Sequence, residues 1–122
     1  MAVRGIRGAI TVDEDQPGAV LAATRDLLLN IQQANPGFDP AAVASILFTT
    51  TADLVSVFPA QAARQLGWNL TPLICAQEIP VPGSLPRCVR VLIHWNCDLP
   101  QSDIQHVYLG EAASLRPDLF VS

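Results

Sequence analysis

Arg87-Cys88-Val89-Arg90-Val91-Leu92-Ile93-His94-Trp95 is the stretch from which the rest of this 122-residue chain can be read. Its branched apolar residues, uninterrupted by Gly or Pro, predict a strand in the middle of a sheet. Strand alternation puts Cys88, Arg90, Leu92 and His94 on one face and Val89, Val91, Ile93 and Trp95 on the other. Arg90 is thus a guanidinium planted mid-strand among valines, and burying it unpaired would cost several kcal/mol. An anion has to meet it, and two readings stand: a carboxylate of the protein, for which Glu78 is the obvious candidate, or a carboxylate of a ligand.

Working outward, the segment before this strand is a Pro-rich loop, Pro80-Val81-Pro82-Gly83-Ser84-Leu85-Pro86, entered from Glu78 at the exit of a predicted strand Leu70 to Gln77. Val43 to Thr50 predicts another strand, followed by the loop Thr51-Ala52-Asp53-Leu54. Pro59 opens a short helix to Leu66, with Gly67 just past its end. At the start of the chain, Ala2 to Val12 reads as a strand interrupted by Gly5 and Gly8, where glycine marks a bulge or a close approach. Arg7 shares a face there with Val3, Gly5 and Ala9, so it has room beside it.

Asp13-Glu14-Asp15-Gln16-Pro17 announces a helix that places its acids near the positive dipole end, and Asn35-Pro36-Gly37 stops it. Gln105 to Leu109, carrying Tyr108, is the last short strand, and the tail Leu115-Arg116-Pro117-Asp118 reads as irregular. The order β-α-β-α-β-β-β predicts one α/β domain over residues 1–122: a single mixed sheet with two helices on one face. The other face has no helix left to cover it.

Composition points the same way. Charged residues are 15% and hydrophobic residues 50%, against about 25% charged in ordinary soluble domains. So small a domain carries too much surface to be this poor in charge alone, which predicts self-association. The net charge of -4 argues against nucleic acid and anionic membranes as partners. No apolar run reaches membrane-spanning length and no secretory leader opens the chain. Cys75, Cys88 and Cys97 form no CxxC pair and fit no closed disulfide set, so they read as reduced thiols of a cytoplasmic protein. With only His94 and His106 beside them, the spacing supports no zinc site.

All seven cations are Arg and none is Lys, a preference for planar forks that grip carboxylate or phosphate. Taken singly, each candidate has an ordinary reading. Arg90 can be a structural ion pair, Arg7 an edge-strand surface residue, Tyr108 a half-buried core residue and Cys75 a small buried hydrophobe. The set is what stands out: Arg7, Arg64, Arg90 and Arg116 all adjoin apolar segments. Several guanidiniums and one carboxylate suit a pocket for a small dianion carrying a hydroxyl.

Six runs, in order, resemble one family. They are Arg4-Gly5-Ile6-Arg7-Gly8-Ala9, Phe58-Pro59-Ala60 with Arg64 after it, Cys75-Ala76-Gln77-Glu78, Cys88-Val89-Arg90-Val91, His106-Val107-Tyr108-Leu109 and Leu115-Arg116-Pro117-Asp118. Together they resemble the monofunctional α/β chorismate mutases, a class distinct from the all-helical ones. The resemblance implies a homotrimer, a pseudo-α/β barrel with sheets at the centre, helices outside and active sites between subunits. It implies conversion of chorismate to prephenate by an intramolecular Claisen rearrangement, with no cofactor and no metal.

On this chain the resemblance assigns Arg90 to the ether oxygen and a carboxylate, and Arg7 and Tyr108 to the enolpyruvyl carboxylate. Glu78 and the backbone at Cys75 would take the ring hydroxyl. Phe58, Ala60, Leu73, Ile74 and Leu115 would form the apolar wall, with Arg64 and Arg116 near the mouth. Gln61 departs from the family, which commonly has Lys there. The expected division of the cleft gives Phe58, Arg64, Ile74 and Glu78 to one subunit and Arg7, Arg90 and Tyr108 to its neighbour.

The chemistry agrees with the motifs. A pericyclic rearrangement needs no nucleophile and no proton transfer; it needs a compact substrate conformation and positive charge at the breaking carbon–oxygen bond. Two alternatives remain at this level: an imine deaminase-like trimer, which would need a water-activating arrangement, and a non-catalytic trimer that binds a small carboxylate as a regulator. One geometrical difficulty also remains. Cys75 and Glu78 lie on opposite faces of an extended strand, so both reach one ligand only if the chain turns at Gln77 or Cys75 acts through its backbone.

Overall fold

The structure, a computed structural model, describes residues 2–114. Among them five strands form one mixed sheet: β1 (Val3–Thr11), β2 (Val43–Thr50), β3 (Leu73–Gln77), β4 (Cys88–Asn96) and β5 (Val107–Leu109). Their spatial order is β3-β2-β4-β1-β5, so the stretch built around Arg90 is the central strand. β4 runs antiparallel to both neighbours, whereas β2 with β3 and β1 with β5 are parallel.

Burial along β4 follows the pleat. Val89, Val91, Ile93 and Trp95 are buried while Arg90, Leu92 and His94 are only partly so. The apolar row packs under two helices, α1 (Pro17–Ala34) and α2 (Ala60–Gln65), both on this one face. α1 contributes Val20, Leu27, Leu28 and Ile31 to a core that includes Ile6, Ile46, Phe48 and Ile93. Each such fully buried aliphatic or aromatic side chain contributes roughly 1.5–3 kcal/mol by leaving water.

The two buried polar side chains of this region are satisfied. Thr24 Oγ1 donates to the Val20 carbonyl at 2.7 Å within the helix. Asn35 does more than stop α1. Its Nδ2 donates to the carbonyls of Ile31 (2.9 Å) and Gln105 (3.0 Å) and its Oδ1 accepts from Gln105 N (2.9 Å), tying the helix end to the approach of β5.

Gly8 is small because α1 lies against β1 there: a Cβ would stand 2.9 Å from Ile31 Cδ1 and 3.1 Å from both Leu27 Cδ1 and the Val107 carbonyl. The helix starts where expected, with Pro17 in its first turn and the acids before it; no acid lies inside that turn and Gln16 makes no side-chain cap. Asp15 turns instead to the loop after β2, where its two oxygens accept from Val55 N and Ser56 N at 3.1 Å each. This holds the Asp15 carboxyl below its usual range, with the Ser56 side chain as the larger cause and the backbone amides assisting.

Three boundaries also shift. β3 starts at Leu73, not Leu70, because Pro72 has no N–H to give a ladder and only its carbonyl pairs, accepting from Ile46 N at 3.0 Å. β5 is trimmed to Val107–Leu109, and β4 begins at Cys88 because Arg87 adopts a left-handed backbone, φ +48°. The second sheet face is not bare throughout. A short 3-10 helix, Gly110–Ser114, covers its corner, where Ala112 packs with Ala9, Cys88 and Tyr108.

Candidate active site

Register across the sheet sets out the site. Ala76 pairs with Thr49, Thr49 with Arg90, Arg90 with Ala9 and Ala9 with Tyr108, so these five residues form one line across all five strands. All share the face away from the helices, since partners in register point the same way. Two small side chains, Ala9 and Ala76, leave room beside the guanidinium. Arg7 lies two residues from Ala9 on β1, and Glu78 two residues beyond Ala76 at the end of β3.

A cavity of about 270 Å³ opens on this line, and Arg7, Gly8, Leu47, Thr49, Glu78, Arg90, Val91, Leu92 and Tyr108 line it. Arg90 Nε stands 3.5 Å from Glu78 Oε1. That carboxylate oxygen also accepts from Thr49 Oγ1, and Glu78 N donates to the Thr50 carbonyl at 2.8 Å, so the acid is held from its own strand end and from β2. Arg90 Nε is fully buried yet has no hydrogen-bond partner among the described residues. A buried donor left without an acceptor is a costly arrangement, of about 1–3 kcal/mol.

Arg7 is placed by its backbone. Its N–H donates to His106 Nδ1 at 2.9 Å, one residue before the parallel β1–β5 pairing begins at Gly8 and Val107. Nδ1 is the acceptor there, so it carries no proton. Cys88, on the same face as Arg90, is fully buried, and its thiol is pushed up by burial although the Arg90 charge pulls it down. Among the described residues no three His, Cys, Asp or Glu side chains gather as a metal site.

The structure therefore brings together Arg7, Glu78, Arg90 and Tyr108 of the expected set, all within one chain. This corrects the assignment of Glu78 and Arg90 to different subunits: β2 separates β3 from β4 by a single strand, and Thr49 carries the acid to the guanidinium. Cys75 goes the other way. Its register with Phe48 turns the side chain toward the helix-side core, opposite Glu78, so its thiol is outside the Arg90 cavity.

Leu73 also packs on that core and Ala60 is buried in α2. Phe58 and Cys75 line a separate hollow of about 590 Å³ with residues of the Thr50–Pro59 and Cys75–Gln77 segments. Phe58 and Ile74 are 73% and 64% exposed, and Arg64 is exposed on α2. Leu115 and Arg116 lie outside the described residues. Sequence reasoning missed Thr49 and His106, although Thr49 could have been found from its place on the polar side of β2.

The sequence model for chorismate mutase type I matches residues 3–119. The chain belongs to the type I chorismate mutase family. Chorismate mutase AroH of Thermus thermophilus is 58% identical over 117 residues, covering 96% of each chain. Chorismate mutase AroH of Bacillus subtilis (strain 168) is 45% identical over 120 residues, 98% of this chain and 94% of that one. A solved chorismate mutase from Clostridium thermocellum superposes with a TM-score of 0.88 at 45% identity, over 90% of this chain and 97% of its own. With the family in place, the single mixed sheet with its two helices is the fold shared with that solved chorismate mutase.

Proposed function

We propose that the cavity around Arg90 is where chorismate rearranges to prephenate, and that Arg90 drives the step. The chain is a chorismate mutase, an isomerase of aromatic amino acid biosynthesis, by its membership of the family. The observation that carries the residue assignment is the buried Arg90 Nε without an acceptor of its own, beside a cavity lined by a second Arg, a carboxylate and a Tyr. An ether oxygen gaining negative charge as its carbon–oxygen bond breaks supplies that acceptor.

Each group then has a role. Arg90, on the central strand, aims a fixed donor at charge that develops only in the transition state, so no reorganisation is needed when the bond breaks. Arg7 and Tyr108 hold the enolpyruvyl carboxylate, and Glu78 accepts from the ring hydroxyl, with Cys75 contributing only backbone. Fixing both ends of the substrate selects the compact conformer in which the reacting carbons meet.

The remaining wall comes from a second copy. The chain leaves Val55, Phe58, Ile74 and Ile79 64–79% exposed around β3, apolar area that a free monomer would present to water. We assign this edge to the cleft of a homotrimer, where Phe58, Ala60, Leu73, Ile74 and Arg64 of one protomer close the Arg90 cavity of the next, with Leu115 and Arg116 near its mouth. No helix among the described residues is long and apolar enough to cross a membrane, and a cytoplasmic enzyme with no metal or cofactor fits the chemistry.

Purified protein incubated with chorismate in metal-free buffer tests the reading. Loss of chorismate absorbance with appearance of prephenate supports it. A folded protein that binds chorismate without turnover is a regulator, and the proposal fails.

A further inference from the structure

Arg87 is the one non-glycine residue at positive φ among the described residues, φ +48°, and it stands at the entry to β4, three residues before Arg90. Side chains other than Gly, Asn and Asp rarely occupy this region, and they stay there only when the surroundings hold them. The surroundings here are specific. Arg87 N–H donates to both oxygens of Asp53, at 3.0 Å and 3.2 Å. Asp53 Oδ1 also accepts from Thr51 Oγ1, and Thr51 Oγ1 in turn accepts from Cys88 N at 3.0 Å. Thr51 N donates to the Cys88 carbonyl at 3.1 Å. On the other side, Arg87 Nε and carbonyl engage Val12 O and N at 3.0 Å and 2.8 Å.

This clamp acts on the site through the loop it closes. The segment from Glu78 to Arg87 begins with Glu78 N on the Thr50 carbonyl and ends with Arg87 N on Asp53. Both ends are thus pinned to one four-residue stretch, Thr50 to Asp53, and the two groups of the ion pair stand at its margins, Glu78 at one end and Arg90 just beyond the other.

We infer that Asp53 is a positioning residue for the rearrangement: by holding Arg87 in the left-handed backbone it sets where β4 begins and so where Arg90 stands against Glu78 and the substrate. The inference rests on the reading of Arg90 as the group that stabilises the transition state. Asp53 does not line the 270 Å³ cavity that holds Arg7 and Tyr108; it lines an adjoining hollow of about 240 Å³, where Glu78 and Arg90 also stand, so its action on the rearrangement runs through them. Without its carboxylate Arg87 returns to negative φ, Cys88 N leaves Thr51, and the first turn of the strand carrying Arg90 moves.

Misplacement of that kind costs a transition-state contact more than a ground-state one. Asp53→Ala is therefore expected to lower kcat by about 10- to 100-fold with KM changed by no more than about threefold. Asp53→Asn, which retains one acceptor oxygen for Arg87 N–H, recovers most of that rate. The assay is chorismate turnover on the folded assembly, with Arg90→Lys measured beside it. A folded Asp53→Ala with kcat within about twofold of the parent, or with a loss confined to KM, overturns the inference while a slow Arg90→Lys leaves the Arg90 reading intact. A fast Arg90→Lys removes that reading and the inference with it. If Asp53→Ala does not fold, Thr51→Val breaks the link between Asp53 and Cys88 at nearly constant volume, and the same kcat loss supports or, by its absence, refutes the clamp.

Discussion

Replacing Arg90 by Lys separates charge from geometry at the centre of the site. The ion pair with Glu78 spans 3.5 Å. At an effective dielectric of about 20 this is a gross attraction of about 5 kcal/mol, which an ammonium placed near the same point largely retains. The side chains are 41% and 29% exposed, and a pair this open contributes at most about 1 kcal/mol net, so the melting temperature should fall by no more than a few degrees.

Catalysis should respond differently. Lys has no counterpart to the buried Nε–H and no planar fork, so the donor proposed to meet the ether oxygen is lost. Removing one such donor costs about 10²- to 10³-fold in kcat, roughly 2.7–4 kcal/mol of transition-state stabilisation. Binding of chorismate, for which the proposed site keeps Arg7 and Tyr108, should weaken much less. The measurements are initial rates of chorismate loss over a range of substrate, with thermal unfolding of both proteins. A kcat equal to the parent's makes Arg90 structural. A rate loss matched by a large fall in melting temperature refutes the separation of charge from geometry.

Three further outcomes follow from the same structure. Refolding an equal mixture of Arg90→Ala and Phe58→Asp, each nearly inactive alone, should restore activity to about a quarter of the clefts if, as proposed, a trimeric ring pairs each chain's Arg90 with its neighbour's Phe58 wall; mixed trimers without activity place both residues in one protomer's site. Gly8→Ala should lower stability by about 1–3 kcal/mol through overpacking, because its Cβ meets Ile31 and the Val107 carbonyl at 2.9 Å and 3.1 Å; unchanged thermal unfolding would show that β5 and α1 yield freely. The Asp15 carboxyl is held below its usual 3.8 by Ser56 and Val55. The unfolded chain therefore takes up this proton first, and the stability that Asp15 contributes is complete above about pH 4 and lost as pH falls through its lower folded value; Asp15→Asn should flatten the acid limb of a stability–pH curve, and an unchanged limb would count against the anchor.

Much of this protein was legible along the chain. The alternation from Cys88 to Trp95 is a local property, since a pleated strand sends successive side chains to opposite faces whatever surrounds it. It therefore identified the central strand, its buried row and the exceptional place of Arg90, while the six motifs named the family. Gly8 marked either a bulge or a close approach, and the packing of α1 decides for the approach.

Other features depend on residues that no local pattern relates. Arg90 and Glu78 become partners only because β2 lies between their strands and Thr49 faces both. Asp15 reads as one of the acids before the positive end of a helix until the loop at Val55 and Ser56 is folded beside it. Arg87 reads as the first residue of a strand until Asp53, 34 positions away, holds it left-handed. Cys75 follows the same rule: its face was computable, but whether that face met the site or the core was not. Hydrophobic period and turn residues are short-range and survive in the sequence as a pattern. Pairing between distant strands and loops is decided by which arrangement buries the core and satisfies the backbone at once, and that is settled only when the whole chain is folded.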